Sequence, residues 1–95
     1  MNFGLALEAL KAGACVRRAG WNGKGMHLYI EDNLYRSMPR VDAKNRVKYS
    51  DQGKYAPCIC MFTAQKVHQP GWLASQADML ADDWEVLTWE ELSAA

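Results

Sequence analysis

The run Cys58-Ile59-Cys60-Met61-Phe62 is apolar at every position. A strand in a small sheet normally shows one wet face, so a strand like this one has to be covered on both. One cover can come from within the chain. Phe3, Ala6, Leu7 and Leu10 fall at the i, i+3, i+4, i+7 spacing of an amphipathic helix. Asn2 is placed to cap its start, and Gly13, just after Lys11, to stop it. A second subunit is the cover expected for the other face. With 95 residues, a chain hides only about two thirds of its unfolded surface, so the core it builds alone is modest.

The rest of the chain reads as further strands and short helices. Ala14 to Ala19 is expected as a strand ending in Arg17 and Arg18. The segment Gly20-Trp21-Asn22-Gly23-Lys24-Gly25 follows, and Asn-Gly between apolar runs signals a hairpin. Met26, Leu28 and Ile30 alternate with His27, Tyr29 and Glu31, as in a half-buried return strand. Residues 32–56 form a polar excursion, in which Arg46-Val47-Lys48-Tyr49 reads as one arm of a hairpin closed by Ser50-Asp51-Gln52-Gly53. Ser75-Gln76-Ala77-Asp78 matches a capping box that starts a short helix through Ala81. Asp82 and Asp83 then lie near its C-terminal end, where the helix dipole disfavours negative charge. Either that helix stops early or these carboxylates find partners elsewhere, the basic middle being the candidate. Trp84 to Leu87 reads as the last strand, and Thr88-Trp89-Glu90-Glu91 as a second capping box. Leu73, Met79, Leu80 and Trp84 are assigned to the core. The expected class is α+β, one small domain over residues 1–95 with an N-terminal helix on a mostly antiparallel sheet.

Charge narrows the function. Eleven basic side chains balance eleven acidic ones, whereas a protein that holds polymeric nucleic acid usually carries a basic excess. The balance is unevenly spread: residues 33–70 hold seven basic and two acidic groups, and residues 71–95 hold six acidic and none basic. Such halves can attract each other within one chain or between copies. No apolar run is long enough to span a bilayer. Met1-Asn2-Phe3-Gly4 lacks the basic, then apolar, start of an export signal. A soluble protein of the cytoplasm is expected.

Chemistry by catalysis finds little footing. There is no nucleophile elbow, no phosphate loop ending in Gly-Lys-Ser/Thr and no His-Glu-x-x-His. His27 and His68 stand alone. Asp78 and Asp82 would share a helical face, which more often means solvated carboxylates than a cation site. Cys15, Cys58 and Cys60 are an odd set without an export signal, so a disulfide framework is not expected. Cys58 and Cys60 share one strand face, but zinc needs two more ligands, and Cys15, His27 and His68 show no paired ligand spacing. The thiols therefore read as small apolar side chains, with no metal and no cofactor.

Binding finds more. Trp21 and Trp72, two of four tryptophans, sit beside glycines in apparent loops. Loop tryptophans often furnish a stacking plate or anchor an interface. Around Trp21 stand Arg17, Arg18 and Lys24, with glycines whose bare backbone can approach a phosphate. Aromatic plates, cationic forks and free amides suit a nucleotide. A hairpin turn whose Trp21 merely closes the end of the core fits the same pattern equally well.

Three blocks in fixed order carry a family resemblance: Met1-Asn2-Phe3-Gly4-x-Ala6-Leu7; Ala19-Gly20-Trp21-Asn22-Gly23-Lys24-Gly25-Met26; and Trp72-Leu73-Ala74-Ser75-Gln76-x-Asp78-Met79-Leu80-Ala81-x-Asp83-Trp84-Glu85. Together they resemble the second type of Thoeris anti-defence protein, a family of small phage and prophage proteins, over roughly residues 1–31 and 57–87. The resemblance implies a sponge and not an enzyme. Members bind the cyclic ADP-ribose-type signal of a bacterial Thoeris sensor, as homotetramers (dimers of dimers) with pockets between subunits, in the cytoplasm of the host. Some also hold cyclic oligonucleotide signals at separate sites.

Carried over, the resemblance places Trp21-Asn22-Gly23-Lys24 and Trp72 to Asp78 at the pocket. Trp21 or Trp72 stacks on adenine, and Arg17 or Arg18 faces the pyrophosphate. Ser75, Gln76 and Asp78 bond ribose hydroxyls, or Ser75 and Asp78 simply cap their helix. The chain departs from the family pattern where Gln65 to Gly71 replaces a short Asp-Gly turn before Trp72, in residues 32–56, and beyond Leu87. Loops set selectivity, so cyclic di- or trinucleotides, held through Arg36, Arg40, Lys44, Arg46 and Lys48, form the alternative ligand class. An enzyme that cleaves the signal and a protein-interaction module are the alternatives of other kinds.

Overall fold

The computed structural model describes residues 1–31, 38–41, 44, 47–50 and 56–93. Its first element, α1, spans Phe3–Lys11. The Asn2 side chain caps it by accepting the Leu5 N–H at 2.9 Å, which satisfies one of the free donors of the first turn. The far end closes as a Schellman turn: the Gly13 N–H donates to Leu10 O and the Ala14 N–H to Ala9 O, both at 3.0 Å. Gly13 takes φ +97° there, a conformation that a Cβ would penalise. Ala6 and Leu10 are buried, with Phe3 and Leu7 packed beside them, so all four positions of the expected stripe face inward.

Against α1 lies a five-stranded antiparallel sheet in the order His68–Pro70, Cys58–Phe62, His27–Glu31, Val16–Arg18, Trp84–Val86. Its strands are β1 (Val16–Arg18), β2 (His27–Glu31), β5 (Cys58–Phe62), β6 (His68–Pro70) and β7 (Trp84–Val86). A separate hairpin pairs β3 (Met38–Val41) with β4 (Val47–Ser50). Two short helices follow, α2 (Gln76–Leu80) and α3 (Trp89–Ser93). Val16, Leu28 and Trp84 join Ala6 and Leu10 in the core, and Ile30, Ile59 and Met61 pack against them. The α+β class and the antiparallel sheet agree with the sequence reading. Among the described residues, no helix is long and apolar enough to cross a membrane.

Several details differ. β1 and β2 do form a hairpin, but the connection is the wide loop 19–26 and not a two-residue Asn-Gly turn, and Met26 stays outside the strand. Strand β4 is the second arm of its hairpin. Its partner arm precedes it, with Val41 paired to Val47, so the turn read at Ser50 to Gly53 does not close this hairpin; residues 51–53 lie outside the described ones. β6 was not anticipated because its residues are polar, exposed and include Pro70; an edge strand tolerates proline since its N–H has no ladder to serve. After it, the N–H groups of Gly71 and Trp72 both donate to Ile59 O, at 3.0 and 2.9 Å. With Gly71 at φ +83°, this bulge bends the chain off the sheet edge and turns Trp72 toward the core.

The all-apolar strand β5 is covered by α1's side on the face of Ile59 and Met61. On its other face only Cys60 is fully buried, at 1% exposure. That face is roofed partly from within the sheet. The His27 and Phe62 rings lie 5.2 Å apart and those of Phe62 and His68 4.9 Å apart. The Tyr29 hydroxyl meets His68 Nδ1 at 2.7 Å. The assignment of Leu73, Met79 and Leu80 to the core is wrong: they are 89%, 42% and 79% exposed, whereas Trp84 is 2% exposed. A five-residue helix has too few turns to bury a stripe. It is held through Asp78 and the Trp84 indole, which leaves Met79 and Leu80 outward.

Candidate ligand-binding site

The loop 19–26 is rooted on Asp83. Ala19 N–H donates to Asp83 O at 2.9 Å, and Gly20 N–H donates to Asp83 Oδ2 at 2.9 Å. Trp21 N–H closes back on Arg18 O at 3.1 Å. Gly23 has no room for a side chain, because a Cβ there would overlap Met26 and stand 2.9 Å from the Ala64 Cβ. Its bare backbone thus lets the loop lie against the β5–β6 turn. Between this loop and the β1–β7 edge opens a cleft of about 300 Å³, lined by Arg17, Arg18, Trp21, Asn22, Gly23 and Lys24 together with Ala19, Gly25, Met26 and Glu85. That volume lies at the lower end of small-ligand pockets.

Behind the cleft stands an aromatic stack. The Trp21 ring meets Trp84 edge-on at 5.4 Å and 77°, and Trp72 at 6.3 Å and 64°. Phe3 lies 5.3 Å from Trp84. The Trp84 Nε1–H donates to Asp78 O at 2.9 Å, which satisfies the polar tip of a buried indole. Trp21 is half-buried, so it closes the core end and also walls the cleft. Trp72 belongs to the same stack but does not line the cleft.

Both arginines are engaged. Arg18 Nη1 reaches Asp78 Oδ1 at 2.9 Å and Arg18 Nε reaches Asp83 Oδ1 at 2.8 Å. Arg17 Nε meets Glu85 Oε1 at 2.8 Å, and Arg17 Nη2 meets Glu91 Oε2 at 2.7 Å. Asp83 therefore pairs with Arg18 on β1. Burial pushes the Asp78 carboxyl up, but the Arg18 guanidinium, the Ser75 N–H and hydroxyl, and the Trp21 side chain outweigh it and hold it below its ordinary value. Asp83 is likewise lowered, chiefly by Arg18 and then by the Gly20 N–H. Lys24 is exposed and has no salt bridge among the described residues.

Ser75 and Asp78 form the expected capping box, with the Asp78 N–H on Ser75 Oγ and the Ser75 N–H on Asp78 Oδ2, both at 3.1 Å. Gln76 is exposed at the start of α2. The structure thus gathers Arg17, Arg18, Trp21, Asn22, Gly23 and Lys24 at one cleft and connects Asp78 to it through Arg18. Trp72, Ser75 and Gln76 stand outside it. The sequence reading overlooked Glu85, Met26 and Asp83 as parts of this site. The acidic run beside Trp84 was visible, but only the pairing of β1 with β7, Arg17 to Glu85 and Arg18 to Trp84, shows which cations it meets. Among the described residues, no group of three or more His, Cys, Asp or Glu side chains converges to hold a metal ion.

Comparison with known proteins bears on what such a cleft serves. The model of the Thoeris anti-defense 2-like domain matches residues 1–87. A protein of Bacillus phage SP01 called Thoeris anti-defense 2 is 36% identical over 89 residues, covering 93% of this chain and 96% of that protein. The matched span takes in α1, the cleft loop, the whole five-stranded sheet and α2. The chain belongs to the Thoeris anti-defense 2-like family.

Proposed function

We propose that this protein is a phage anti-defence sponge, which binds a glycocyclic ADP-ribose signal of Thoeris immunity in the host cytoplasm and holds it without cleaving it. The observation that carries this reading is the cleft at loop 19–26. Its lining combines the half-buried Trp21, the backbone of Gly23 and Gly25, and the cationic side chains of Arg17 and Lys24. An adenine stacks on an aromatic face of this kind at about 1–3 kcal/mol per base. A pyrophosphate is met by exposed Lys24 and by Arg17, which can exchange its contact with exposed Glu91 for the ligand. Arg18, fixed between Asp78 and Asp83, shapes the wall instead of leaving it.

A sponge has to out-compete the effector, which needs nanomolar affinity, about −12 kcal/mol. An open cleft on one chain falls short of that, and a pocket shared between subunits encloses more of the ligand. The outward Leu73 and Leu80, 89% and 79% exposed, lie within and just after the Trp72 to Asp78 segment. They support a subunit contact beside the site in a dimer of dimers. In that assembly Trp72, Ser75 and Gln76 are reached by a ligand held in a neighbouring cleft. The test is titration of glycocyclic ADP-ribose into the wild type, Trp21→Ala and Lys24→Ala, with mass measured by light scattering. Trp21→Ala is expected to lose at least about tenfold in affinity while the oligomer persists. Unchanged affinity in both variants would remove the ligand from this cleft.

A further inference from the structure

The sheet face opposite α1 carries a pair of thiols that the sponge reading does not use. Cys58 and Cys60 stand two positions apart on β5, and so on one face of it. Their sulfurs approach to 3.7 Å. Both thiols are free; Cys58 is half-buried and open to solvent, whereas Cys60 is 1% exposed.

The backbone decides what such a pair can do. Same-face neighbours on a strand are rooted about 6.6 Å apart, twice the rise of roughly 3.3 Å per residue. A disulfide wants its Cβ atoms about 3.8 Å apart and its sulfurs about 2.05 Å apart, so this pair cannot close on itself without breaking the strand. Two thiolates at the usual ~2.3 Å from a tetrahedral zinc-like ion, however, lie about 3.8 Å from each other. The sulfurs already stand at that bite.

We infer that Cys58 and Cys60 form a dithiol chelate for a thiophilic divalent cation of the zinc and cadmium class. With no third His, Cys, Asp or Glu converging among the described residues, the pair is a two-point chelate short of a structural zinc site's four ligands, and water fills the remaining positions. Binding converts two thiols and one cation into a dithiolate complex and releases two protons to solvent.

The test uses the full chain with cadmium chloride alone as probe, read by the ultraviolet thiolate-to-cadmium absorption and by proton release to a dilute indicator. One cadmium ion per chain and two released protons are expected. Cys58→Ser should weaken binding by at least about tenfold; Cys15→Ser should leave it unchanged. A tryptophan-fluorescence melt checks that Cys58→Ser, altered at a half-open position, stays folded, and Cys60→Ser repeats the test from the buried side. Absence of the absorption band, release of fewer than two protons, or unaltered binding in Cys58→Ser would each overturn the site and leave a thiol–thiol contact.

Discussion

Trp21 serves both the core and the cleft, and the two duties are separable by measurement. Truncating it to alanine removes the edge-on contacts with Trp84 at 5.4 Å and Trp72 at 6.3 Å. Each such pair contributes about 0.5–1.5 kcal/mol beyond area. Complete truncation of a fully buried Trp or Phe costs about 3–5 kcal/mol, and a half-buried ring should cost less, about 2 kcal/mol. Trp84→Ala is the comparison. That ring is 2% exposed, touches Phe3, Trp21 and Trp72, and its loss leaves the Asp78 carbonyl without its indole donor. It should cost the full 3–5 kcal/mol or more, out of a total near 5–15 kcal/mol for a domain. Urea melts of the two variants give the numbers directly. Trp21→Ala is expected to lower Tm by about 8–16 °C, at roughly 4–8 °C per kcal/mol for a chain this short. It should remain folded at 25 °C, so that its binding can be read. If Trp21→Ala is as costly as Trp84→Ala, Trp21 is simply core. If it costs under about 0.5 kcal/mol, a surface-like value, the aromatic stack as described does not exist in solution.

Two further outcomes follow from the geometry. Asp78 and Asp83 are both held below the ordinary carboxylate range, so the folded state takes up their protons later than the unfolded chain does. The stability they contribute is complete above the unfolded value of about 3.9 and is lost as pH falls through their lowered folded values. Thermal melts from pH 7 to pH 2 should therefore show a steep acid limb that Asp83→Asn makes shallower; an unchanged limb would count against the Arg18 network. Gly23→Ala should displace the cleft loop, because Met26 can swing away but the Ala64 Cβ at 2.9 Å cannot. Overpacking of that kind costs about 1–3 kcal/mol, and wild-type stability together with wild-type affinity would show that the loop does not lie against Ala64.

The parts of the fold legible from sequence are those with local causes. Asn2, Gly13, Ser75 and Thr88 mark helix ends through contacts spanning a few residues, and each does so in the structure. The parts that were not legible depend on long-range pairing. Leu80 looks like core by composition, yet α2 is anchored through Arg18 and Trp84, from β1 and β7, and turns it outward, as Leu73 is just ahead of the helix. Gln69 and Pro70 do not look like strand, yet β5 templates them at its edge. The site divides the same way. Its loop could be found from Trp21-Asn22-Gly23-Lys24, while the carboxylates that occupy Arg17 and Arg18 came into view only with the β1–β7 register.

Capture and release tests the central claim most directly. The purified protein is mixed with glycocyclic ADP-ribose, free ligand is removed by filtration, and the protein is then heat-denatured and the released material weighed by mass spectrometry. Sequestration predicts that the signal is depleted from the filtrate and recovered intact after denaturation. A changed mass would mean turnover instead of storage, and a signal left wholly in the filtrate would mean that this cleft holds something else.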